Sequence, residues 1–122
     1  MLLLKLLSRL PLRVLYALTD VLYMIIYHIF RFRRELSLSN LQRSFPAMPP
    51  RELERIARAS YHHACDMIAE VVKGAAMGAD EMRERMRIRN TELLASYVRA
   101  HQPVVLLASH HCNWEWLLLA SC

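Results

Sequence analysis

Apolar positions dominate the first thirty residues, recur at helical spacing through the middle, and return as two short runs near the end. From about Leu12 to Phe30 the chain is long enough to cross roughly 30 Å of hydrocarbon at about 1.5 Å per residue. Within that stretch Arg13, Tyr16, Asp20, Tyr23, Tyr27 and Arg31 recur at spacings of three and four and form one polar stripe. Leu15, Leu18, Leu22, Met24, Ile25, Ile26 and Ile29 occupy the other faces. An unpaired Asp20 near the bilayer midplane costs about 2.5–3.5 kcal/mol on insertion scales. The stripe is therefore expected to face protein or the interface, and a tilted span and an interfacial helix both satisfy the pattern. A cleaved leader is not expected, because Tyr27-His28-Ile29-Phe30-Arg31 offers no small-x-small site.

Downstream, Phe45 to Pro50 reads as a turn, with Pro50 placed to open a helix. Leu53, Ala57, Ala64, Met67, Val71 and Ala75 keep helical spacing and predict one long amphipathic helix, bracketed at its end by Gly74 and Gly78. Asp80 is expected to cap a short helix over 81–85. Met86 and Ile88 alternate with Arg87 and Arg89 as in a half-buried strand, and Arg83, Arg85, Arg87 and Arg89 would line one face if extended. Asn90 or Thr91 can cap a helix carrying Leu93, Leu94, Tyr97 and Val98. Pro103 opens a second apolar run, Val104 to Ala108, read as a buried strand, and Trp114 to Ala120 reads as an apolar helix. Helix, strand, helix, strand, helix predicts an α/β class.

Charge narrows the partners. The 122 residues carry a formal charge of +5, with 55% hydrophobic residues and a pI near 9.5. A basic, apolar chain with no nucleic-acid motif points to a membrane surface or anionic lipid and not to nucleic acid. Three cysteines, Cys65, Cys112 and Cys122, are an odd number without framework spacing, as expected of free thiols in a reducing compartment. Arg31, Arg33 and Arg34, just past the apolar helix, are candidates to face phosphate at headgroup depth. His62, His63, Cys65 and Asp66, with His111 and Cys112, contain metal-ligand residue types, but their spacing matches no zinc pattern, and no metal is expected.

The junction between the last run and the last helix, His110-His111-Cys112-Asn113-Trp114-Glu115, carries the candidate chemistry. Five helical steps put His110 and Glu115 roughly 140° apart, so they cannot share a helix face. They converge if His110 lies in the loop and Glu115 in the first helical turn. An imidazole backed by a carboxylate is a general base with its orienter. Asn113 is a candidate for substrate contact and also suits the cap of the helix.

His110-x-x-x-x-Glu115 resembles the first motif of glycerolipid-type acyltransferases. Together with Phe32-Arg33-Arg34, Asn40-Leu41-Gln42-Arg43-Ser44-Phe45-Pro46 and Met86-Arg87-Ile88-Arg89, it is similar to the bacterial late lipid A acyltransferase family over most of the chain from Arg31. Cys112 departs from the pattern, standing where the family usually carries a small, glycine-like residue. The resemblance implies a membrane helix followed by the helical and first-strand portion of an αβα acyltransferase domain. Residues 1–34 would be the membrane anchor with its basic juxtamembrane segment, and 35–122 the N-terminal part of the catalytic domain, incomplete and inactive by itself. It implies transfer of a fatty acyl chain from acyl carrier protein or coenzyme A to a hydroxyl of a phosphorylated glycolipid, a lipid A precursor. His110 would be the base and Glu115 its orienter, without a cofactor, on the cytoplasmic side of the bacterial inner membrane. The rival readings are the same chemistry on a lysophospholipid or an amino-acid lipid, and a non-catalytic membrane-anchored helical adaptor.

Overall fold

The computed structural model describes residues 2–105, 107, 109 and 112–120. It forms two compact units, residues 1–76 and 77–122. In the first, α1 (Leu2–Ser8) and α2 (Leu12–Tyr23) are separated at Pro11, which has extended backbone, φ −58° and ψ 142°. Proline lacks the amide that would continue α1 and presets the dihedral angle that starts α2. The helix then widens into a π-helical segment, Met24–Ile29, where the Phe30 amide bonds back to the Ile25 carbonyl at 2.9 Å. Arg31 and Arg33 take left-handed backbone conformations, φ 49° and 52°. That reversal sends the chain into α3 (Arg34–Ser44), a helix that no apolar periodicity announces.

The spine of this unit is α4 (Pro50–Gly74), which begins and ends where the proline and glycine signals place it. Its buried positions, Leu53, Ala57, Cys65 and Ala69, are spaced by four or eight residues and make a narrow ridge. Three of the four are small, so a neighbouring backbone can approach closely. α2 packs antiparallel to α4 along that ridge. The register is read from cross-helix contacts, beginning with Lys73 Nζ donating to the Ser8 carbonyl at 3.4 Å and Tyr16 Oη to Glu70 at 2.9 Å. His62 then meets Asp20 at 2.9 Å, Tyr27 meets Tyr61 ring to ring at 5.2 Å, and Arg34 meets Glu54 at 2.7 Å. Tyr16, Asp20, Tyr23 and Tyr27 of the polar stripe thus lie against α4, while Arg13 and Arg31 are exposed.

The second unit holds α5 (Ala79–Arg85), α6 (Thr91–Arg99) and α7 (Trp114–Ala120). α5 and α7 pack together, with Met82 and Trp116 buried. Asn90 precedes α6 with left-handed backbone, φ 58°, and its side chain caps nothing.

The α/β class is overturned. Among the described residues there are only helices and connecting segments, with no strand. Met86 has extended backbone, φ −116° and ψ 102°, but no ladder forms beside it. Of the run expected as a buried strand, Val105 is 85% and Leu107 96% exposed, while Leu106 and Ala108 lie outside the described residues. A strand is defined by a hydrogen-bonded neighbour, and the described chain supplies none for either run. The four alternating arginines do not share an extended face. Arg83 and Arg85 belong to α5 and pair with Asp80 at 3.2 Å and Glu81 at 3.0 Å, leaving only Arg87 and Arg89 beyond the helix.

Candidate functional site

Around the His110–Glu115 motif, the described backbone begins at Cys112, because His110 and His111 lie outside the described residues. Cys112 is exposed and left-handed, φ 53°. A side chain in that region crowds the following carbonyl, and glycine avoids the clash. The conformation therefore gives a physical reason for a glycine-like residue at this point of the motif. The Trp114 amide donates back to the Cys112 carbonyl at 3.2 Å, closing the turn.

Asn113 is buried, and its Oδ1 accepts the Trp116 amide at 3.3 Å. This is the bond by which an N-cap residue satisfies an unpaired amide of the first turn. Trp116 is buried, whereas Glu115, on the same turn, is exposed. Capping and Trp116 burial fix the rotation of the turn and leave the Glu115 carboxylate free of the core.

A second constellation sits at the end of the apolar helix. Arg31, Arg33, Arg34, Glu35 and Leu38 line a recess of about 460 Å³. Arg34 stacks over the Tyr27 ring, 4.9 Å from its centroid, and pairs with Glu54. Arg31 and Arg33 are exposed and make no ion pair among the described residues. Arg58 shares Glu54, at 2.7 Å. Arg58 first, and Arg34 in addition, hold the Glu54 carboxyl below its ordinary range.

Beneath these arginines Tyr27 is fully buried, and its hydroxyl has no hydrogen-bond partner of good geometry among the described residues, Arg58 facing it. Tyr61 leans on the same ring and donates to the Phe32 carbonyl at 2.6 Å, tying the left-handed segment to α4. Sequence spacing placed Tyr27 in the stripe but gave no sign of this role, because its neighbours come from a helix thirty residues on.

Asp20, His62 and Asp66 form the one group among the described residues whose ligand atoms gather closely enough to hold a cation, within 4.8 Å of one another. Two of the three had appeared as candidates in sequence; Asp20 had not, since it comes from α2. His62 Nε2 faces Asp20 at 2.9 Å and Nδ1 faces Asp66 at 3.1 Å. Both ring nitrogens are thus spent on carboxylates, and the imidazole ties two helices together. Cys65, one residue from Asp66, is buried, and burial pushes its thiol pKa up.

The family model of bacterial lipid A biosynthesis acyltransferases matches residues 1–120. The chain belongs to that family. Its members are membrane-associated acyltransferases acting between an acyl donor and a lipid acceptor, and residues 12–29 form one candidate span. No curated protein and no solved structure matches the chain.

Proposed function

We propose that this protein transfers a fatty acyl chain from an acyl thioester, on acyl carrier protein or coenzyme A, to a hydroxyl of a phosphorylated lipid A precursor. The observation that carries the reading is the family match over residues 1–120, which includes His110 and Glu115 in their motif. Residues 1–34 serve as the anchor and basic juxtamembrane segment, and residues 35–122 contribute to the acyltransferase domain. Catalysis takes place on the cytoplasmic side of the inner membrane.

His110 takes the proton of the acceptor hydroxyl as its oxygen attacks the thioester carbonyl. The new C–O bond forms, the C–S bond breaks, and the departing thiolate recovers the proton from His110. Glu115 holds the imidazole in the tautomer that accepts; its exposed place in a capped first turn supports that role. Arg31, Arg33 and Arg34 engage the acceptor phosphate; Arg31 and Arg33, exposed at the recess and without an ion pair among the described residues, support this part. Bidentate guanidinium groups suit phosphate geometry.

The test is acyl transfer to lipid A precursor in membranes carrying the full-length gene product. General-base assistance is worth about 10²–10⁴ in rate, so His110→Ala should lose at least about two decades of turnover while still binding donor. Glu115→Gln should lose activity with donor affinity unchanged. Arg31→Gln with Arg33→Gln should raise the KM for acceptor and leave that for donor. Near-wild-type turnover of His110→Ala removes the mechanism, and transfer only to lysophospholipid removes the acceptor.

A further inference from the structure

We propose that Asp20, His62 and Asp66 bind a divalent transition cation of the zinc type, which clamps α2 to α4. The site lies wholly within the first unit and draws on nothing in the acyl-transfer chemistry.

Helix geometry brings the three residues together. His62 and Asp66 are four residues apart on α4 and so stand on one face of it. Asp20 arrives from α2, which runs antiparallel alongside. Tyr23, one turn beyond Asp20, packs against the imidazole with 5.3 Å between ring centroids and limits its rotation. One ligand atom from each of the three residues lies within 4.8 Å of the other two. Donors bonded to one ion at about 2.0–2.2 Å stand within roughly 4 Å of one another, so closing the set takes a shift of about 1 Å. The side chains of His62, Asp20 and Asp66 are 47%, 57% and 26% exposed and can make that shift. The same exposure leaves room for water to complete the coordination.

The proton count calls for a cation. His62 faces a carboxylate at each ring nitrogen, Asp20 from Nε2 at 2.9 Å and Asp66 from Nδ1 at 3.1 Å. A neutral imidazole has one N–H, so in either tautomer the other nitrogen turns a lone pair toward an anion. A positive charge at that point removes the repulsion. No guanidinium supplies it: among the described residues Asp20 and Asp66 form ion pairs with the imidazole alone. Glu52, Glu54, Asp80, Glu81 and Glu92, by contrast, each meet an arginine. The exception occurs in a chain whose formal charge is +5. Two carboxylates and a neutral imidazole carry two negative charges, which one divalent ion neutralises.

Donor chemistry narrows the ion. Carboxylate oxygens by themselves suit magnesium and calcium, whereas an imidazole nitrogen suits zinc and its first-row neighbours. An ion held by ligands from two helices stabilises the state in which those helices are docked, because the set does not exist when they part.

The test is titration of Zn2+ into the full-length gene product, stripped of metal in one mild detergent, in a Cys112→Ser, Cys122→Ser background. Asp20→Asn and His62→Gln should each weaken Zn2+ binding at least about tenfold, and His63→Gln, at the exposed neighbouring histidine, should not. Zn2+ at about 100 times its Kd should raise Tm by at least about 5 °C in the parent and leave Asp20→Asn unmoved. Mg2+ at the same concentration should do neither. Asp20→His returns a ligand nitrogen and should restore binding, so a lost fold cannot pass for a lost ligand. Unchanged affinity in Asp20→Asn would mean an adventitious ion on α4 and overturns the cross-helix site. A parent that binds no Zn2+ overturns it too, and leaves a proton on His62 as the charge between the carboxylates.

Discussion

Tyr27→Phe removes a single oxygen from the centre of the first unit. The side chain is fully buried and its hydroxyl lacks a partner of good geometry among the described residues, so the folded state carries the cost of desolvating that group without the bond that would offset it. A buried unsatisfied polar group costs about 1–3 kcal/mol, and its removal should return part of that. The remaining contacts belong to the ring, which phenylalanine keeps. These are Tyr23 stacked at 5.6 Å, Tyr61 edge-on at 5.2 Å, His28 at 5.0 Å and the Arg34 guanidinium over the face at 4.9 Å. The expected result is a variant as stable as the parent, or more stable by up to about 1–2 kcal/mol. Tyr27→Ala, which also empties the ring's volume, should lose about 3–5 kcal/mol. For a cooperative unit of this size about 1 kcal/mol moves Tm by roughly 4–8 °C. Thermal unfolding followed by circular dichroism in one mild detergent therefore resolves the two. A Phe variant destabilised by more than about 1 kcal/mol would refute the reasoning. It would mean that the hydroxyl is bonded in solution, with Arg58, which faces Tyr27, as the candidate donor.

Cys112→Gly should relieve left-handed strain and stabilise the motif turn by up to about 1 kcal/mol, while Cys112→Val should destabilise it by about 1–2 kcal/mol; equal protease resistance of the two variants would contradict the backbone assignment. Asn113→Ala should cost about 0.5–2 kcal/mol through loss of the cap on α7, and Asn113→Asp should restore most of it; activity lost in both variants alike would point to substrate contact instead. Because Glu54 titrates below its ordinary 4.5 when folded, its contribution is present above that pH and is lost as the pH falls below it. Glu54→Gln should therefore flatten the acid limb of a stability–pH curve, and an unchanged limb would show that its ion pairs add nothing.

What the sequence determined was local. Pro50 and the 53–75 spacing placed α4, and the Trp114–Ala120 run placed α7, because caps, prolines and periodicity act within a few residues. The polar stripe through Tyr16, Asp20 and Tyr27 was visible as a pattern, and so was its incompatibility with lipid tails. Family membership was legible too, since it rests on residue order in the motif blocks. The partner of the stripe was not. That His62 bridges Asp20 to Asp66, and that Arg34 reaches Glu54 across a ring, follows from an antiparallel docking that joins positions 20 to 65 residues apart. The same limit explains the error over the strands. Val104 to Ala108 has strand composition, but a strand exists only with a hydrogen-bonded neighbour, and no spacing rule can supply one. Nor did any local pattern mark the left-handed turns at Arg31 and Arg33. Their side chains carry no preference for that region, and the conformation is imposed by how the flanking helices must meet.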